Sequence, residues 1–79
     1  MTKHERISRD LQRLRDSARL VLDDPEVWRL EIDTLPNGRY KVTIDYGDDL
    51  DPNCIIASWS AVINEVTSFY TALEELEYL

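Results

Sequence analysis

Residues 27–33 alternate between apolar and polar: Trp28, Leu30 and Ile32 face one way, and Val27, Arg29, Glu31 and Asp33 the other. Residues 40–46 repeat the pattern, with Tyr40, Val42, Ile44 and Tyr46 on the apolar side. Period-two alternation marks a half-buried strand, and two such runs around Leu35-Pro36-Asn37-Gly38 predict a β-hairpin. The faces choose its register. A two-residue Asn37-Gly38 turn would set Ile32 against Thr43 and mix apolar with polar, which a half-buried sheet does not tolerate. A type I turn centred on Pro36 and Asn37, with Gly38 as a left-handed bulge residue, shifts the pairing by one. Ile32 then faces Val42, Leu30 faces Ile44 and Trp28 faces Tyr46. The same shift brings Asp33 opposite Lys41 and Arg29 opposite Asp45, two charge pairs each worth about 0.2–1 kcal/mol.

Helical spacing flanks the hairpin. Ile7, Leu11, Leu14, Ala18 and Val21 form one stripe of an amphipathic helix. Thr2 and Glu5 have the spacing of a capping box, and Pro25 predicts the helix end near Leu22 or Asp23. Glu5/Arg9 and Arg6/Asp10 are spaced to pair on the exposed side. A second stripe runs through Ile55, Trp59, Val62, Val66, Phe69, Leu73 and Leu76, widened by Ile56, Ile63 and Tyr70. Its start has two readings. Asp51-Pro52 can serve as cap and first helical residue, or Cys54 to Ala57 can form a third strand with Ser58 as the cap. The expected fold is α+β: an N-terminal helix, an antiparallel hairpin with a possible third strand at 54–57, and a C-terminal helix. Both helices would lie on one face of the sheet. Residues 1–79 make a single domain.

Composition narrows the function. The hydrophobic fraction is 43% and the charged fraction 32%, so the chain folds rather than remaining disordered. Nothing approaches the roughly 20 apolar residues of a membrane span, and no secretory pattern opens the chain. The single cysteine, Cys54, rules out an internal disulfide and fits a reducing cytoplasm. It reads as a small half-buried hydrophobe. Net charge is −7 and unevenly spread: residues 1–22 carry +3 and residues 23–79 carry −10. Phosphates would be repelled by such a body, which disfavours direct nucleic-acid binding. The first helix holds Lys3, Arg6, Arg9, Arg13, Arg15 and Arg19, but Glu5, Asp10 and Asp16 interleave with them and base-stacking aromatics are missing.

Candidate chemistry is sparse. His4 has no Cys or Ser partner in view and reads as a surface residue. The stretch from Asp45 to Asp51 is rich in oxygen ligands but lacks calcium-loop spacing and a closing Glu. No catalytic, cofactor-binding or nucleotide-binding motif is present, and the chain reads as a non-enzyme. Trp59, Tyr70 and Tyr78 read as core or as a dimer interface, leaving monomer and homodimer both open.

The hairpin register, however, gathers acids. Asp23, Asp24 and Glu26 before the first hairpin strand neighbour Asp48, Asp49 and Asp51 after the second. On the helical reading of residues 3–22, Asp23 and Asp24 sit at a helix C-terminus, where the dipole disfavours them. Glu74, Glu75 and Glu77 repeat that misfit in the last helix, and join the acidic end if residues 54–57 form a strand. Such a surface suits a basic protein partner, with carboxylates standing in for phosphates. In its acidic groups at 23–26, 48–51 and 74–77, its size and its lack of catalytic motif, the chain resembles phage-encoded inhibitors of bacterial defence. These are notably the anti-CRISPR proteins that block target-DNA binding. The resemblance implies a non-catalytic inhibitor, a CRISPR effector complex as partner, and the cytoplasm of a bacterial host. An antitoxin or immunity-type protein covering a basic enzyme site is the second reading. A dimeric DNA-binding regulator using the basic first helix is the third.

Overall fold

The structure, a computed structural model, describes residues 1–47 and 51–77. Six elements follow in order: α1 (Lys3–Ser17), β1 (Arg19–Asp23), β2 (Arg29–Thr34), β3 (Tyr40–Asp45), β4 (Asn53–Ala57) and α2 (Trp59–Glu77). The strands form one antiparallel sheet in the order β1-β2-β3-β4.

The β2–β3 register is the one required by the apolar faces. Ile32 pairs with Val42, Leu30 with Ile44, Asp33 with Lys41 and Arg29 with Asp45. Gly38 closes the turn at φ +81, its N–H donating to the Leu35 carbonyl at 3.1 Å, while Leu35 donates to Arg39 at 2.8 Å. That is a type I turn followed by a left-handed bulge residue.

α1 starts as expected. The Thr2 hydroxyl accepts from the Glu5 N–H at 3.2 Å, and the Glu5 carboxylate accepts from the Thr2 N–H at 3.4 Å. Its end differs from the helical stripe. α1 stops at Ser17, and Ala18 adopts a left-handed cap (φ 63) with its N–H donating to the Leu14 carbonyl at 2.8 Å. Residues 19–23 are therefore not helix but a fourth strand. Val21, assigned by spacing to the helix core, is 38% exposed, while Leu20 and Leu22 are buried. Pairing supplies the physical reason. Arg-Leu-Val-Leu-Asp runs antiparallel to Arg29–Asp33, so Arg19 lies opposite Asp33 and Asp23 opposite Arg29. Both ends close as ion pairs, Arg19–Asp33 at 2.7 Å and Arg29–Asp23 at 3.0 Å. These pairs also redirect the hairpin charges: the two residues share a register position with Lys41 and Asp45 but turn their charged groups toward β1.

Residues 54–57 are strand rather than the start of the last helix. β4 pairs antiparallel with β3, Cys54 opposite Thr43 and Ala57 opposite Tyr40. α2 then begins after Ser58, whose hydroxyl accepts from the Ala61 N–H at 3.3 Å. Cys54 is exposed rather than half-buried, since it points away from the helices on an edge strand.

Both helices cover one face. Leu20, Leu22, Leu30, Ile32, Val42 and Ala57 from the sheet are buried with Ile7 and Leu14 of α1 and Val62, Val66, Phe69 and Tyr70 of α2. One core polar group was not legible as such. Asp10, expected on the exposed side, is fully buried and accepts a short hydrogen bond from the Tyr70 hydroxyl. No helix of the described residues is long and apolar enough to cross a membrane.

Candidate functional site

Antiparallel order brings four strand ends together. β1 ends, β2 begins, β3 ends and β4 begins at one side of the sheet. α2 starts beside Tyr40 at the opposite side, where Trp59 meets Tyr40 at 5.4 Å between ring centroids. It runs back until Phe69 meets Trp28 edge-on at 5.8 Å. Nineteen residues span about 28 Å, while a six-residue strand covers about 20 Å. The last turns therefore overhang the sheet, carrying Glu74, Glu75 and Glu77 to the end occupied by Asp23, Asp24, Glu26 and Asp51. Asp48 and Asp49 lie outside the described residues.

Several of these carboxylates already have partners. Asp23 pairs with Arg29, and Glu74 with Lys3 of α1 at 3.3 Å. Asp24 turns back on its own loop, its Oδ1 accepting from the Glu26 N–H at 2.8 Å. Glu26, Asp51, Glu75 and Glu77 are exposed. A helix dipole acts on one of the two acidic groups and not on the other. Asp23 and Asp24 lie at a strand end and turn, not at a helix C-terminus. α2 does end on glutamates, with no basic residue in its last turn; there the dipole disfavours acid by about 0.3–1 kcal/mol each.

A shallow recess of about 190 Å³ opens at this end. Asp23, Asp24 and Asp45 line it beside the rings of Trp28 and Tyr46 and the Arg29 guanidinium. Trp28 and Tyr46 lie 5.9 Å apart and tilted by 60°, and Tyr46 is 49% exposed. Arg29 is held above its ordinary pKa by hydrogen bonds to Glu31 first and Asp23 second, so it stays a fixed cation at the recess wall. The carboxylate of Asp45 accepts from Gly47 N–H at 2.9 Å, where φ 77 lets the chain turn. Asp45 and the aromatic rim were not singled out as site residues from sequence. Trp28 facing Tyr46 is the outermost pair of the hairpin register, and that position was the available signal. A second depression, about 240 Å³, lies between the helix ends and mixes Lys3 and Arg6 with Glu74 and Glu77. Its balanced charge selects no ligand class.

The opposite end is basic. α1 delivers Arg13 and Arg15 there, β1 begins with Arg19, and the β2–β3 turn carries Arg39. Most of these cations act within the chain. Arg15 sits 4.4 Å over the Trp59 ring, and Arg19 bridges Glu31 and Asp33. Among the described residues no group of three His, Cys, Asp or Glu is placed to hold a metal ion. No protein-family model, curated protein or solved structure matches the chain.

Proposed function

We propose that the protein is a non-catalytic acidic inhibitor that occupies a basic nucleic-acid-binding surface of a partner protein. The observation that carries this reading is the convergence of three chain segments, 23–26, the start of β4 and the end of α2, on one acidic end. A Lys- or Arg-lined groove meets there the charge it ordinarily meets in phosphates, and association is fast and salt-sensitive. In the recess, Asp24 and Asp45 beside the exposed Tyr46 ring offer carboxylates and an aromatic surface to a guanidinium or ammonium group, while Asp23 is already shared with Arg29. The resemblance to anti-CRISPR proteins makes a DNA-recognising CRISPR effector complex, in a bacterial cytoplasm, the partner to test first. A DNA-binding regulator is less well supported, because Lys3, Arg15 and Arg19 are engaged within the chain.

The test is competition. A purified effector complex is bound to labelled target duplex and the protein is titrated in at two salt concentrations. The duplex is released by the wild type, with potency falling steeply at higher salt. Asp48→Lys/Asp49→Lys and Glu75→Lys/Glu77→Lys each lose that potency at unchanged circular dichroism; at the exposed Glu75 and Glu77 such changes usually cost within about 0.5 kcal/mol. Equal potency of both charge-reversed proteins refutes the role of the acidic end. Salt-dependent binding of the protein to duplex alone favours the regulator instead.

A further inference from the structure

We propose that β4 is a self-association edge, pairing antiparallel with β4 of a second copy about a two-fold axis at Ile55. Among the described residues β4 is hydrogen-bonded to β3 only, so its outer backbone groups stand open. Such edges are commonly guarded by charge, proline or a bulge within the strand. Here Asn53-Cys54-Ile55-Ile56-Ala57 carries none of these, and no charged residue occurs from Pro52 to Asn64. Ile55 is 45% and Ile56 55% exposed. Ile55 lies on the helix side opposite fully buried Val42, yet stays open because α2 leaves Tyr40 and heads for Trp28, away from this edge.

Charge identifies the occupant as a second copy. A chain of net charge −7 repels itself over most approaches, and 52–64 is its longest uncharged stretch. The molecule is also polarised along its strands, acidic where β4 begins and basic where it ends. Antiparallel pairing sets each acidic end beside the other copy's basic end. With Ile55 on the axis, Asp51 of one copy comes level with position 59 of the other, where Arg15 covers Trp59. Cys54 faces Ile56 across the junction on the open sheet face, and Ile55 faces its own equivalent on the helix side. The association closes as a dimer rather than a fibre, because the other edge, β1, bears Arg19 and Asp23 at its ends. A five-residue ribbon is small beside a standard interface of about 1,200–2,000 Å², so the dimer is reversible and concentration-dependent.

Sedimentation equilibrium of the full chain tests this directly. The expected result is a rise from 9.3 kDa toward twice that mass over the micromolar to millimolar range. Ile56→Lys installs an edge guard on an exposed position and is expected to remain monomeric throughout, at unchanged circular dichroism. Cys54 provides an independent readout if that variant fails to fold. The two Cys54 positions lie diagonally across the junction, roughly 7–8 Å apart, within reach of a short bis-maleimide. A wild type that stays monomeric overturns the proposal, as does an Ile56→Lys dimer. So does a wild-type dimer that the reagent does not link. Each result is independent of whether the acidic end binds a partner.

Discussion

Replacing Tyr70 with Phe removes one oxygen atom and exposes how Asp10 is tolerated inside the protein. Asp10 is fully buried, and its Oδ2 accepts from the Tyr70 hydroxyl. Its Oδ1 has no hydrogen-bond donor; the nearest cations are Arg9 Nε at 3.4 Å and Arg13 Nη1 at 3.8 Å. In Tyr70→Phe the carboxylate loses its one good donor, and a buried group left unpaired costs about 1–3 kcal/mol. Asp10→Leu strands the hydroxyl instead and costs a similar amount. The double variant strands neither group, so its stability is expected within about 1 kcal/mol of wild type, because a buried polar pair replaced by apolar groups is often neutral. Urea unfolding of the four proteins gives the coupling. A loss near the middle of that range lowers the melting temperature by roughly 10 °C in a domain of this size.

The pH dependence adds a second axis. Burial first, and the hydrogen bond to Asp10 second, push the Tyr70 pKa from 10.0 up to about 12. The folded state therefore holds a proton that the unfolded state gives up. This contribution is complete below pH 10, and is lost as pH rises from 10 to about 12. The gap between wild type and Tyr70→Phe should narrow across that window. Additive single and double variants, with a gap constant through pH 12, would refute the reasoning.

Two further substitutions probe the fold. Ala18→Gly should stabilise the protein by about 0.5–1 kcal/mol, because Ala18 caps α1 at φ 63 and glycine carries no Cβ penalty there; thermal melting reads the gain. Leu30→Ala should cost about 2–5 kcal/mol by urea unfolding, since Leu30 is fully buried at the centre of the sheet.

The hairpin was legible because its two faces differ so sharply that a one-residue slip puts threonine into the core. The fourth strand was not, for a local reason. Ala18 and Val21 continue the three-and-four spacing of α1, so residues 18–22 satisfy a helical pattern and an alternating one at once. What breaks the tie is long-range: Arg19 and Asp23 complement Asp33 and Arg29 only when the segments run antiparallel. The antiparallel charge match between Arg-Leu-Val-Leu-Asp and Arg-Leu-Glu-Ile-Asp was visible in the sequence but is not a periodicity. Asp10 was hidden differently. Its i, i+4 spacing from Arg6 looks like a surface pair, and only the packing of α2 brings Tyr70 across sixty residues of chain to cover it. For the acidic end, the hairpin register pointed to Asp23, Asp24 and Glu26 beside Asp51, with Asp48 and Asp49 outside the described residues, while Asp45 and the aromatic recess required the strand ends in place.

The position of charge along the strands links the two proposals. Six of the nine lysines and arginines lie in residues 1–22, which suggests a basic helix set against an acidic body. The fold redistributes them. α1 runs antiparallel to β1, so Lys3 and Arg6 are folded back among the glutamates of α2, while Arg13, Arg15 and Arg19 gather at the far end with Arg39. The resulting dipole runs along the strands rather than from layer to layer. A dipole in that direction would present one end to the basic partner proposed above and would let two copies lie side by side in opposite senses. In the β4-paired dimer the two acidic ends therefore point away from each other. A dimer built this way would offer two separate acidic ends, each with its own aromatic recess, so that under the proposed function two basic grooves could be met at once without either copy blocking the other.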